Sequence, residues 1–177
     1  MGILLALAGW PLLKALAFPL ILLPFMVRIP AIIYGQITLP LQLLASSLAE
    51  HALNLIGIPV LREGNILELA SRRLSVVEAC SGIRSLLSLT FLSLVYGHFF
   101  EPRLWIRVVL LIATVPIAIL ANAFRVTVTG LLYEYKSEWA DGFYHTMEGW
   151  VIFMVALAAV AATHRTLGWI ALRRDAP

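Results

Sequence analysis

A chain of 177 residues that is 61% hydrophobic and 13% charged, with mean hydropathy +0.92, is no ordinary soluble domain and belongs in a lipid bilayer. Its net charge of +3 comes from scattered basic residues rather than a run, which argues against nucleic acid as a partner. The length excludes two domains of ordinary size and suits one membrane-embedded domain over residues 1–177.

The N-terminus, Met1-Gly2-Ile3-Leu4-Leu5, has no basic region before its apolar run, so a cleavable signal peptide is not expected. The first apolar stretch runs from about Gly2 to Val27, interrupted by Lys14 and punctuated by Pro11, Pro19 and Pro24. It reads as one kinked helix or as a short piece followed by a span. From Ala31 to Ile58 apolar residues alternate with Gln36, Gln42, Ser46, Ser47, Glu50, His51 and Asn54. Such an amphipathic helix suits a membrane surface, or a bundle interior with a polar face. From Val60 to Val77 the alternation shortens, and Glu63-Gly64-Asn65 signals the turn of a small hairpin.

Three longer apolar runs follow: Cys80 to Phe99, Leu104 to Tyr133 and His145 to Leu172. Each offers the roughly 20 residues that a transmembrane helix needs. Pro116 is expected to kink the second of these and to free a carbonyl one turn earlier. The fold class is therefore an all-α polytopic transmembrane helix bundle, with an amphipathic helix and a small external hairpin before Cys80. Arg103 and Arg107 flank one short loop, and Arg173 and Arg174 follow the last run. By the positive-inside rule these ends face the cytoplasm, and the hairpin, with Arg62, Arg72 and Arg73 opposed by Glu63 and Glu68, faces outward. The Lys136-to-Gly142 loop, mixed in sign, lies on the same outer side.

Cys80 is the single cysteine, so an internal disulfide is excluded and a thiolate metal site is not expected; neither metal nor cofactor is implied. A lone cysteine is ordinarily a buried packing residue. Here it opens a helix, where unpaired N–H groups and the macrodipole stabilise a thiolate, and Arg84 follows four residues later on the same face. A nucleophile fits that setting better.

Length places two further residues at the level of Cys80. At 1.5 Å per residue, Arg125 lies roughly 33 Å along its helix from Arg103, about one bilayer thickness. His145 opens the last run from the same outer side. Each has a plainer explanation. Arg125 could snorkel to headgroups, although Asn122 and Thr129, at i−3 and i+4, extend it into a polar stripe that normally meets protein or water. His145 alone would be an interfacial residue, the reading that His51, His98 and His164 receive. Glu148, at i+3, could orient the His145 imidazole or be a solvated face residue. Together Cys80, Arg125 and His145 have the parts of cysteine acyl transfer: a thiolate to attack a carbonyl, a proton carrier and a fixed cation for the oxyanion. Classical sortases use the same three residue types on an unrelated β-barrel.

The segment Glu78-Ala79-Cys80-Ser81-Gly82-Ile83-Arg84-Ser85, then Pro116 through Asn122-Ala123-Phe124-Arg125-Val126, then His145 with Gly149, resembles the exosortase/archaeosortase family of integral-membrane transpeptidases. Ile58-Pro59-Val60-Leu61-Arg62-Glu63-Gly64-Asn65 also looks like the family's stretch upstream of the cysteine, and the likeness covers about Pro19 to Val160. Archaeal members commonly carry arginine where this chain has His145, which favours the bacterial exosortase branch. The resemblance implies that Cys80 is the nucleophile and Arg125 and His145 its catalytic partners; Arg84, Asn122, Glu148, Glu78 and Ser81 are the candidates for supporting residues. It implies as substrates secreted proteins ending in a short motif such as Pro-Glu-Pro, a transmembrane helix and a basic tail. Their new carboxyl end would pass to an acceptor at the cell surface, from an active site on the external face of the cytoplasmic membrane. Membrane lipids and the sorting-signal helix are the expected partners. Many family members have further helices before the core, whereas this chain starts almost inside it, as a short subfamily or a truncated form. A purely hydrolytic cysteine protease and a non-enzymatic scaffold or transporter are the other two classes compatible with these features.

Overall fold

The computed structural model describes residues 10–12, 14, 16–27, 30–70, 73–76, 83–135 and 143–174, with side chains except at 31, 83–84, 143–146, 148 and 174. The elements are α1 (Ala17–Leu22, extended by a 3₁₀ turn over Leu23–Met26), α2 (Ala31–Leu55), β1 (Leu61–Glu63), β2 (Ile66–Glu68), β3 (Arg73–Ser75), α3 (Ile83–Phe100), α4 (Leu104–Tyr135) and α5 (Phe143–Arg174). The protein is a membrane protein. Helices over Ile32–Leu55, Leu104–Tyr135 and Gly149–Arg173 are long and apolar enough to cross a bilayer. The described part of the Cys80-to-Phe99 run forms a shorter apolar helix, Ser85–Phe100, and the first stretch contributes one over Ala17–Met26.

Gln36 and His51 of α2 are exposed, but four of its polar residues are held by protein. Gln42, Ser46, Glu50 and Asn54 recur every four residues and so fall on one face. That face holds the hairpin. The amide of Asn65 donates to Gln42 (3.2 Å), the Ser46 hydroxyl to the Gly64 carbonyl (3.1 Å), Arg62 to Glu50 (2.9 Å), and the Val60 N–H to Asn54 (3.2 Å). Of the two roles open to an amphipathic segment here, α2 takes the interior one, and it is itself a candidate span.

The hairpin is larger than expected. β1 and β2 pair antiparallel with Arg62 opposite Leu67, and β3 adds a third strand with Leu74 opposite Leu67. Gly64, at φ +64°, occupies the first turn position, where a side chain would be strained, and Asn65 keeps a negative φ. Beneath the sheet, Ala49, Leu53, Ile58, Val60, Leu67, Leu69, Leu74 and Val76 pack with Val126 of α4 into one buried cluster. Fully burying a leucine or valine contributes about 1.5–3 kcal/mol, so this cluster fastens the sheet to the helices next to Arg125.

A second cluster joins Leu89 of α3, Ala118 of α4 and Ala156 of α5. The Ser93 and Thr114 hydroxyls meet at 2.7 Å; Thr114 donates to the Leu110 carbonyl (2.9 Å), which leaves Ser93 as donor across the pair. α4 continues as a helix through Pro116, whose ring lies on an exposed face, and the missing N–H leaves the Ile112 carbonyl, one turn earlier, without that helical bond.

Candidate active site

Arg125 stands on the inner side of α4. Its neighbour Phe124 is 60% exposed, as suits a lipid-facing ring, whereas Asn122 and Thr129, three before and four after Arg125, are buried. The polar stripe therefore faces protein. The Thr129 hydroxyl donates to the Arg125 carbonyl (2.9 Å) and Thr127 to the Ala123 carbonyl (2.9 Å). These bonds close within the helix.

The guanidinium crosses to α5 and lies against Gly149. A Cβ placed on Gly149 would stand 3.0 Å from Nη2, 3.1 Å from Cζ and 3.3 Å from Nη1 of Arg125. Such similar distances mean that the flat face of the fork covers the glycine. The arginine Nε is buried and lacks a hydrogen-bond partner among the described residues. An unsatisfied buried donor typically costs about 1–3 kcal/mol, and such exceptions are where a ligand or reacting group is expected to supply the acceptor.

Two helix starts come to the same level. His145 is the third residue of α5, one turn before Gly149 and on its face, about 6 Å along the axis. On the other flank, Ser93 meets Thr114, Leu89 clusters with Ala118, and Leu86 lines a small crevice with Asn122, Ala118, Ile119 and Leu41. That antiparallel register carries Ile83, the first residue of α3, to the level of Arg125. The structure thus brings Arg125 and Asn122 together and sets the starts of α3 and α5 beside them. Glu78, Cys80 and Ser81 lie outside the described residues, as do the side chains of Arg84, His145 and Glu148.

The opposite end of the bundle holds a polar knot that the sequence did not announce. His164 Nε2 donates to Glu101 (3.0 Å), Nδ1 and the Tyr96 hydroxyl share a bond of 3.0 Å, and the Arg103 N–H donates to the second Glu101 oxygen (2.9 Å). Arg107 Nε donates to the Glu101 carbonyl (2.6 Å). Burial pushes the Glu101 pKa up. The Arg103 N–H, the His164 hydrogen bond and the charges of His164 and Arg103 outweigh it and hold the carboxyl below its ordinary value. His164 is therefore a structural partner of Glu101 rather than an interfacial residue. The one available signal was an acidic residue inside an otherwise basic loop.

The family described as transmembrane exosortase (Exosortase_EpsH) matches residues 1–162 of the chain. No curated protein and no solved structure matches it.

Proposed function

Because the chain belongs to the transmembrane exosortase family, which implies a membrane cysteine peptidase or transpeptidase with a sorting role, we propose that it cleaves the C-terminal sorting signals of secreted proteins and transfers them to a cell-surface acceptor. The observation that carries this reading furthest is the Arg125 guanidinium, held over Gly149 one turn from His145 with its Nε unsatisfied.

In this mechanism the Cys80 thiolate adds to the carbonyl carbon of the scissile peptide near a Pro-Glu-Pro-type motif. Negative charge collects on the carbonyl oxygen, where the Arg125 fork supplies preorganised donors. His145 gives a proton to the departing amine, so the peptide C–N bond breaks and a Cys80 thioester remains. The acceptor nucleophile then attacks the thioester, His145 takes its proton, and the thiolate leaves. Asn122 and Glu148 help to position these groups, Arg84 favours the thiolate, and Glu78 and Ser81 shape the cysteine turn. The whole chain acts as a single membrane-embedded domain of the cytoplasmic membrane. Its site faces outward, its partners are the sorting-signal helix, lipids and the acceptor, and nucleic acid has no part.

Co-expression with a secreted protein carrying such a signal tests the proposal, with the new C-terminus read by mass spectrometry. A C-terminus joined to an acceptor supports transpeptidation, and a free acid would leave a hydrolytic protease. Cys80→Ala should abolish processing while the protein stays in the membrane, and wild-type enzyme trapped with substrate should yield a hydroxylamine-sensitive thioester. Sustained cleavage by Cys80→Ala would end the covalent mechanism.

A further inference from the structure

Between α1, α3 and α4 lies a cavity of about 580 Å³, within the range of small-molecule and cofactor sites. It sits at the Arg107 end of α4, roughly 27 Å along the helix from Arg125 and thus remote from the catalytic level. α1 stands against α3 through two aromatic contacts: Phe18 stacks on His98 with centroids 3.6 Å apart, and Phe25 meets Phe91 edge-on at 5.7 Å. The walls between them are largely apolar, with Phe18, Leu94 and Leu111 among the lining residues. Two cations, Lys14 and Arg107, also line the cavity, and among the described residues no carboxylate does. The Arg107 Nε is taken by the Glu101 carbonyl, which fixes the fork by one edge.

An apolar trough with two cations and no carboxylate among its described lining residues asks for a ligand with a hydrocarbon body and a single anionic head. Inorganic phosphate would meet the cations and leave the apolar walls open. A zwitterionic phospholipid would fill the trough but bring its own cation toward Lys14 and Arg107. The end of the bundle that holds Arg103, Arg107, Arg173 and Arg174 is the cytoplasmic one by the positive-inside rule, and that leaflet is the anionic one. We infer that this cavity is a binding site for an anionic glycerophospholipid, whose phosphodiester pairs with Lys14 and Arg107 and whose acyl chain occupies the trough. This site stands apart from the cysteine chemistry and does not depend on it.

Native mass spectrometry of the full chain in detergent, titrated with phosphatidylglycerol or phosphatidylcholine, tests the site. Phosphatidylglycerol should be retained at least about five-fold better, since one cation near a membrane surface contributes about that factor. Lys14→Gln should reduce retention about five-fold, whereas Arg165→Gln, an exposed basic residue of α5 outside the cavity, should change it little. Arg107→Lys keeps the charge if loss of the arginine disturbs the loop, and should retain the preference. Ala17→Trp fills the trough without altering charge, and should expel the lipid while the melting temperature holds. Equal retention of the two lipids, an equal loss in Arg165→Gln, undiminished binding in Ala17→Trp, or full displacement by inorganic phosphate would each overturn the assignment.

Discussion

The guanidinium of Arg125 lies face-on over Gly149, so closely that a methyl group on the glycine would come within 3.0 Å of it. The crowded atoms belong to the far end of a flexible side chain, not to backbone. A substitution here should therefore move the fork and spare the fold.

Gly149→Ala is expected to fold normally and to lose about ten- to a hundred-fold in turnover, because misplacement of a catalytic group by an ångström can cost about a hundred-fold. Gly168→Ala, further along α5 and with nothing within 4 Å of the added carbon, is the matched control and should be neutral. Turnover at equal expression, together with thermal unfolding of both variants, checks the pair. Full activity in Gly149→Ala would show that the fork's seat does not matter to the chemistry.

Arg125→Lys separates an oxyanion donor from a residue that merely carries charge. Lysine keeps the charge but replaces a rigid planar fork with a mobile ammonium. Loss of one well-placed oxyanion donor typically costs about 10²–10³ in rate, and that loss is expected here in a folded protein. Near-normal turnover would reduce Arg125 to a residue whose charge alone matters.

The Glu101 knot should make stability depend on acidity. Its carboxyl pKa is lower folded than unfolded. The stabilisation is therefore fully present above the ordinary glutamate value, about pH 4, and is lost as the pH falls through the depressed folded value. Glu101→Gln should lower the melting temperature by a few degrees near neutral pH, with the gap to wild type closing in acid. Melting curves across pH 3 to 7 in detergent check this, and a gap of constant size would remove the charge from the explanation.

Orientation is open to labelling. A cysteine at Ala176 in a Cys80→Ser background should resist a membrane-impermeant maleimide until cells are permeabilised. Cys80 in the wild type should react in intact cells wherever the reagent reaches it. Labelling of Ala176→Cys in sealed cells would invert the bundle.

What could be read from sequence depended on how far apart the partners lie. Asn122, Arg125 and Thr129 share a helix face, so their stripe is a matter of local spacing, and the structure buries its two flanking members. The hairpin turn was legible because Gly64-Asn65 is local chemistry too. The face formed by Gln42, Ser46, Glu50 and Asn54 was equally visible, but its partners were not. Glu50 meets Arg62 across 12 residues and Gln42 meets Asn65 across 23, and spacing within one helix names neither. β3 escaped notice because Arg73-Leu74-Ser75 offers a single apolar residue and no period. Glu101 and His164, 63 residues apart, leave no local trace of their bond.

The cluster of Leu89, Ala118 and Ala156 lies about two turns below the Arg125–Gly149 contact, and both contacts join the same helices α4 and α5. An α-helix advances 100° per residue, so these two contacts share one rotational phase. Insertion of a single residue between Gly149 and Ala156 would leave α5 helical and equally apolar. It would nonetheless swing one contact a quarter-turn or more out of line whenever the other was made. The small residues below thus act as a timing mark for the bundle: they set the angle at which α5 presents Gly149 to the arginine above.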